Sequence, residues 1–398
     1  MDGEGIRAAA MIAVTRGEPM ALKDLRLTGL KRVTDSMMSA LGKAAPYLEV
    51  LDLGYCKDLH NSAIDAFTSC TEEEAARYEA ISLTSRDAGR NLADPNRHWR
   101  RVTRLRHLVL SACILLTDHA CSHLAHAVPK LEFLELAGIG PELHDNGLVR
   151  LLNTTPYIRK LDLEDATEVT DDVLLALTPT APTSVPPGRS RTPTPDPGHA
   201  LEHLILSYAN VESETLSDLV RACTRLRVLE ADNTRMTGLV LKEFVHLARE
   251  RKVTDARIVA VDCRSVGEYV VKELAGHTRP RMGWLSWHAR KLAYLDGRDG
   301  EGLGVGQDEC DSSRVVVKTF YSWQTVDAVK AAREKKRKSS TRRGLNVSGS
   351  SRQSEEVIIT SSGRTTRWWS PGNRRGSSAP ATPTLDLNTD RGEGCTIM

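Results

Sequence analysis

The sequence predicts an α/β solenoid, a stack of short units that each supply one strand and one helix, followed by a non-repeat cap and an irregular tail. Three observations predict it. The word L-x-x-L-x-L returns at intervals of 25 to 27 residues wherever the stack is uninterrupted. Several words lead into a helical half that opens on a Thr-Asp pair, and two of these halves, 33–46 and 116–129, stop at a proline. Aromatics make up only 5% of 398 residues, with four Phe in the whole chain; stacked aliphatic ladders need little aromatic bulk, whereas a single globular core of this size normally uses more.

The units begin at Leu22 (with Leu25 and Leu27), Leu48 (Leu51, Leu53), Leu105 (Leu108, Leu110), Leu131 (Leu134, Leu136), Ile158 (Leu161, Leu163), Leu201 (Leu204, Leu206) and Leu226 (Leu229, Ala231). Two weaker copies, Tyr78-Ile81-Leu83 and the segment 256–263, bring the expected number to about nine. The L-x-L alternation suits a short strand with one buried face. In the first unit residues 33–46 read as a helix, with Thr34 or Asp35 placed to cap it and Pro46 to stop it. Leu116-Thr117-Asp118-His119 and Val169-Thr170-Asp171-Asp172 repeat the scheme. No unit buries its own apolar face, so neighbours must stack. A period of 20–29 residues with this signature is the leucine-rich-repeat pattern, and the expected architecture is a ribonuclease-inhibitor-like horseshoe over 22–278.

Cys56 (in LGYC) and Cys113 (in LSAC) occupy equivalent loop positions, and Cys223 (in RACTRL) lies three residues before Leu226. These words resemble the cysteine-containing subtype of leucine-rich repeats found in F-box/LRR proteins, over about residues 20–275. The thiols themselves read as buried turn-fillers. None of the eight cysteines forms a C-x-x-C pair, and no metal or other cofactor is expected.

Two stretches interrupt the period. Residues 71–104 open acidic (Glu72, Glu73, Glu74) and close basic, and residues 178–199 carry seven prolines in 22 residues, the composition of an irregular surface loop. Residues 1–21 form an N-terminal lead, and the first repeat begins without an obvious cap. Residues 279–338 hold three of the six Trp and no Leu repeat. They read as a C-terminal cap with a strand at 315–320 and a helix at 325–338 that becomes strongly basic. Residues 339–398 are Ser-, Arg- and Gly-rich and read as disordered. From Val329 to Met398 there are 14 Lys/Arg against 6 Asp/Glu, so a chain of net charge +2 divides into an acidic body and a basic tail. The basic cluster Lys335, Lys336, Arg337, Lys338, Arg342 and Arg343 fits a nuclear signal, a contact with acidic lipid, or a solvated helix end.

The chain ends Cys395-Thr396-Ile397-Met398, a C-a-a-X box whose terminal Met specifies farnesyl. One lipid chain anchors only marginally, and the upstream basic cluster supplies a second signal. The expected location is cytoplasmic and peripheral to membranes, with the nucleus as the other reading; the N-terminus has no apolar run of signal-peptide length. The box sharpens the resemblance, because some F-box/LRR substrate receptors end in a prenylated C-a-a-X. The resemblance implies a protein substrate on the concave face, a prenyltransferase acting on Cys395, and a Skp-type adaptor with a cullin where an F-box precedes the repeats. An F-box needs ~40–50 residues, while 21 precede Leu22, so the chain reads either as an N-terminally incomplete member or as an F-box-free scaffold or inhibitor. The latter is similar to the antagonist of mitotic exit network family.

No catalytic constellation emerges, and the chain is expected not to be an enzyme. His119, His123 and His126 fall close together, but no H-E-x-x-H or third-ligand pattern accompanies them, and an outward helical face is the expected reading. No nucleophile elbow, Walker sequence or dinucleotide fingerprint occurs. The fold itself offers a site. Positions 3, 5 and 7 of L-x-x-L-x-L-x should face the concave sheet, and they include Asp24, Arg26, Asp52, His107, Phe133, Glu135, Lys160, Asp162, Glu164, His203, Glu230 and Asp232. Seven acids against two bases favour a basic or extended protein partner and repel nucleic acid. The expected contact residues are Arg26, Asp52, Phe133, Glu135, Asp162, Glu164, Glu230 and Asp232, with Phe133 as the anchor.

Overall fold

A computed structural model describes residues 3–90, 96–179, 195–279 and 311–320. The basic cluster 335–343, the helix expected at 325–338, most of the proline-rich segment and Cys395 lie outside these residues. The chain divides into two units, 1–340 and 341–398, and everything described belongs to the first.

The architecture is mixed α/β, built on a ten-stranded parallel sheet. Each L-x-L core folds as a three- or four-residue strand: β1 (Asp24–Arg26) and β2 (Val50–Asp52) come first, and β6 (His107–Val109), β7 (Phe133–Glu135), β8 (Lys160–Asp162), β9 (His203–Ile205), β10 (Val228–Glu230) and β11 (Arg257–Ala260) follow the first interruption, which holds β3 (Ser69–Cys70), β4 (Ala80–Leu83) and β5 (His98–Arg101). These eight pair in parallel, in that order. Their register puts Leu25, Leu51, Leu108, Leu134, Leu161, Leu204, Leu229 and Ile258 opposite one another. From Leu51 onward these central residues are at most 1% exposed, each contributing roughly 2 kcal/mol by leaving water.

The helices bury the opposite side of the same core. Preceding the first strand is α1 (Gly3–Arg16); α2 (Asp35–Ala44) and α3 (Asn61–Thr68) follow β1 and β2. The Thr-Asp words act twice. Thr34 caps α2 by accepting from the Met37 N–H. The first helical residue then reaches into the following unit: Asp35 accepts from Ser62 Oγ (2.9 Å), and where histidine replaces the threonine, Asn61 exchanges bonds with Thr117 and Asp145 accepts from both the Thr170 N–H and its hydroxyl. A second ladder runs along the position after each leading Leu. Lys23, Glu49, Arg106, Glu132, Arg159, Glu202 and Arg227 alternate in sign, with Lys23–Glu49 at 3.5 Å, Glu132–Arg159 at 3.6 Å and Arg159–Glu202 at 2.9 Å. A slip of one unit would set like charges side by side, so this ladder favours the observed register.

The cysteines fill turns and hold them. Cys56, Cys113 and Cys263 each donate their Sγ–H to the carbonyl of the preceding unit, at Leu27, Leu53 and Ala231 (3.0–3.3 Å). Burial pushes the Cys113, Cys121 and Cys223 thiols up to about 12, which leaves them unreactive.

Three sequence expectations change. Tyr78-Ile81-Leu83 is not a repeat, since β2 pairs directly with β6. The intervening residues form β3 (Ser69–Cys70), α4 (Glu72–Ala75), β4 (Ala80–Leu83) and β5 (His98–Arg101), an antiparallel sheet ordered β3-β5-β4. Ile81, which would hold the central repeat position, is 37% exposed; a period-two pattern identifies a half-buried strand but not its partner. The last two arginines of this segment's basic end are buried. Arg100 donates to the carbonyls of Ser122 (2.7 Å), Ala125 (2.8 Å) and Ala88 (2.8 Å), and Arg101 to those of Phe67 and Ser69.

The second change concerns the first repeat, which does have a helix before it. Ile6 and Ala10 of α1 are buried, and Ala10 packs with Ala40 and Ala44 of α2. Gly3 lies so close to the Arg32 carbonyl that a Cβ would sit 2.4 Å from it. This cover is confined to the helix layer, and Leu22, Leu25, Leu27 and Leu30 stay only partly buried. The third is the histidine trio. Helix α5 (Asp118–Leu124) ends before His126, and His123 is turned onto Asp65 (3.1 Å) rather than outward.

After α6 (Asp145–Leu152), α7 (Asp171–Leu177), α8 (Ser213–Ala222), α9 (Gly238–Glu250) and α10 (Glu268–Glu273), the stack is closed by β12 (Thr278–Arg279) and β13 (Val315–Thr319). The later strand inserts between β11 and β12, and Val315, Val316 and Val317 are at most 3% exposed. None of the described helices is long and apolar enough to cross a membrane.

Candidate functional site

Alternation along each strand makes the site. Where the central residue is buried under the helices, its two neighbours point to the sheet's open face and are mostly half-exposed. All eight predicted contact residues lie on that face, but the structure uses them differently.

At the N-terminal end the charges are taken. Arg26 pairs with Asp24 through Nε (3.1 Å) and Nη2 (3.2 Å). Asp52 accepts from Thr28 Oγ1 (2.9 Å) and from the Gly54 N–H (2.9 Å), holding the loop after its strand. Arg26 and Asp52 are therefore occupied within the protein.

In the middle, Phe133 is half-buried rather than a free anchor. The His107 ring stands 5.4 Å away at 49°, and the Arg159 guanidinium lies 5.7 Å over the ring. Glu135 accepts from Lys160 (2.8 Å) and faces His107 Nε2 at 3.6 Å. Together they make a compact cation–aromatic–carboxylate group suited to a planar or cationic side chain.

Toward the C-terminal end the carboxylates gather. Asp162 Oδ1 accepts from the Glu164 N–H (3.3 Å), Asp232 Oδ1 from the Val261 N–H (2.7 Å), and Glu230 pairs with Arg257. Burial raises Asp162, and Glu135 and Glu230 add to it against the Glu164 N–H and Lys160. Burial also raises Glu164, with Asp162, Asp165, Glu230 and Asp232 all pushing the same way. Burial raises Asp232 against the Val261 N–H, with Glu230 and Asp262 adding to the rise and Lys318 opposing it. Asp162, Glu164, Glu230, Asp232 and Asp262 thus present a negative field that Lys160 (3.9 Å from Asp162), Arg257 and Lys318 offset only in part.

The sign of a raised carboxyl sets a test. Its folded-state value lies above the unfolded one, so the folded state is favoured below the unfolded value and loses that advantage as pH rises through the folded value. Asp162→Asn, which keeps the acceptor for the Glu164 N–H, is expected to stabilise the protein at pH 7. That gain should vanish below ~pH 4, the ordinary aspartate range. Urea unfolding at the two pH values reads it, and an Asn variant no more stable than wild type at pH 7 would contradict a net acidic field at Asp162.

Sequence reasoning missed the rim. The eighth position of every unit adopts a left-handed backbone, at Gly29, Tyr55, Ala112, Gly138, Asp165, Tyr208, Asn233 and Asp262. Its N–H bonds the next unit, as from Tyr55 to Ser111 and from Tyr208 to Asp232. Gly, Asn and Asp tolerate this conformation, but tyrosine is an outlier there. Tyr55 (φ 60°) and Tyr208 (φ 70°) are 62% and 46% exposed, so strain is spent on showing aromatic rings to solvent. Tyr208 shares a cavity with Asn233, Asp262, Arg264 and Phe320. The signal was a large aromatic at a position otherwise filled by small or Asx residues.

Among the described residues no group of three or more His, Cys, Asp or Glu is placed to hold a metal ion. No protein-family model matches the chain, and no curated protein matches it. Solved structures similar to it include the Rad7–Elc1 complex of yeast, at 11% identity over 69% of this chain and 75% of that chain with a TM-score of 0.28. An internalin from Listeria monocytogenes is similar at 14% identity over 68% and 72%, with a TM-score of 0.37.

Proposed function

We propose that this chain is a leucine-rich-repeat solenoid that binds another protein on the open face of its parallel sheet, without catalysis of its own. One observation carries the reading: eight in-register strands turn one side of the L-x-L words into the core and leave the other to a cation–aromatic group and a run of carboxylates that the neighbouring cations offset only in part. Such a face suits an extended partner with basic and aromatic side chains.

The resemblance to F-box/LRR receptors takes the reading further. In it the chain selects a substrate for ubiquitin-dependent degradation, a Skp-type adaptor and a cullin supply the ligase chemistry, and a prenyl group on Cys395 holds the complex at membranes. Capture of the full-length protein from cells should recover adaptor and cullin. Their absence, with other partners retained, would sink the ligase role. The remaining reading would be the F-box-free scaffold. Cys395→Ser should move the protein from the membrane to the soluble fraction, and an unchanged distribution counts against lipidation.

A further inference from the structure

We propose that the cavity between the end of α1, the end of α2 and the antiparallel insertion binds a small, flat organic oxyanion, a carboxylate or phosphate carried on a ring, with Arg101 as its anchor. The cavity measures about 480 Å³, within the range of about 300–1,000 Å³ usual for small-molecule sites. None of the eight open-face contact residues lines it.

One residue carries the surplus charge of this cavity. Of the six charged side chains that line it, Lys43 is paired with Glu74 (2.6 Å), and the exposed Arg77 and Arg104 balance the exposed Glu18 and Glu79 in number. Arg101 is left over. It is 3% exposed, and among the described residues no carboxylate pairs with it. Its Nη1 donates to the Phe67 carbonyl (3.3 Å) and its Nη2 to that of Ser69 (2.7 Å), but its buried Nε has no partner. A buried donor without an acceptor is costly, and a guanidinium presents its donors as a planar fork. Burial lowers the Arg101 pKa, against Coulomb support from Cys70, Glu74 and Tyr78. An oxyanion beside it supplies acceptor and counter-charge together.

The walls favour a flat ring. The Arg101 guanidinium lies 5.3 Å over the Tyr78 ring and that of Arg104 lies 5.1 Å over Tyr47, so two Arg–Tyr stacks line the cavity. Ala13 and Val14 of α1, with Ala45, Leu48 and Phe67, add hydrocarbon. A ring can lie against these flat and apolar surfaces while its charge stays on Arg101.

The fold makes room for this guanidinium. Gly42 sits inside α2, where glycine is disfavoured, and a Cβ there would collide with Arg101 Nη1 and with the Phe67 carbonyl. The cavity also spans separate parts of the chain, lined by Gly17, Glu18 and Pro19 after α1, by Pro46 and Tyr47 after α2, and by Val102 and Thr103 after β5. A ligand seated there ties the insertion to α1 and should slow hydrogen exchange in both.

The test is calorimetric titration of the full chain with phenyl phosphate, benzoate, benzyl alcohol and inorganic phosphate. Phenyl phosphate or benzoate should bind at a single site, and the tighter of the two identifies the head group. Arg101→Lys keeps the charge but loses the planar fork, and Tyr78→Leu removes one stack without removing a charge. Each should weaken the binding by about tenfold. Where Arg101→Lys fails to fold, Tyr78→Leu decides, since Tyr78 is only half-buried. Saturating ligand should slow hydrogen exchange in β4, β5 and the last turn of α1. Five results would overturn the proposal: benzyl alcohol binding as well as benzoate, inorganic phosphate binding as well as phenyl phosphate, affinity untouched by Tyr78→Leu or by a folded Arg101→Lys, exchange unchanged at saturation, or no binding of any probe.

Discussion

Arg100→Met is expected to destabilise the protein by roughly 4 kcal/mol, the cost of stripping a buried charged donor from its acceptors. Arg100 is 2% exposed, and its guanidinium ties together three backbone carbonyls from two places, Ala88 inside the insertion and Ser122 and Ala125 at the end of α5. Burial brings its pKa down to about 10, and the charge persists because those carbonyls and the Coulomb field of Asp65 support it. Methionine matches the length and supplies no donor, so three carbonyls lose their partner inside the protein. The break should be local. Hydrogen exchange should accelerate in β3, β4 and β5 while β7 to β10 keep their protection, because the parallel ladder does not run through the insertion. Unchanged exchange in the insertion would show that Arg101 and the antiparallel pairing suffice without Arg100.

The second large effect concerns binding. Glu164→Lys combined with Asp232→Asn shifts the open face by three charge units while keeping its local structure. The Asn retains an acceptor for the Val261 N–H, and no hydrogen bond is lost from the Glu164 side chain among the described residues. Affinity for a labelled nona-arginine peptide should fall on the order of thirtyfold, about 2 kcal/mol. Thermal stability should hold or rise, since two of the mutually repelling carboxylates are gone. Glu250→Lys, a two-unit reversal of sign at an exposed position of α9 in the helix layer, should leave affinity within about twofold, because the helices cover the side of the core opposite the open face. A Glu250 effect as large as that of the double variant would mean the peptide reads net charge and not this face.

What was legible in the sequence was whatever depends on spacing. Leu51, Leu108, Leu134, Leu161, Leu204 and Leu229 are recoverable because period-two burial on a 25–27-residue repeat needs no knowledge of neighbours. The open-face positions of Asp162, Glu164, Glu230 and Asp232 follow from the same parity. Whether those residues are available does not follow, because it depends on residues a whole unit away. Asp52 is taken by Thr28, Phe133 is flanked by His107 and Arg159, and Glu135 is held by Lys160. Toward the C-terminal end Ile205 and Val259 stand beside Glu230 in the register, so Asp162, Glu164, Glu230 and Asp232 meet few cations across the strands and act on one another.

By itself, the sequence determined a stack of β–loop–α units, the residues its strands bury and those they turn outward, and the acidic bias of the outward set. Periodicity and side-chain parity are local properties, and they survive any choice of partner strand. Tertiary structure alone decided that Ile81 belongs to an antiparallel insertion and that Arg100 and Arg101 are buried struts rather than a basic surface. It also decided that Asp35, Asn61 and Asp145 bridge to the following unit as well as opening their helices, and that Tyr55 and Tyr208 are held outward on a strained backbone. Each of those outcomes turns on which backbone carbonyl or side chain stands within hydrogen-bond reach, a fact created only when distant units stack.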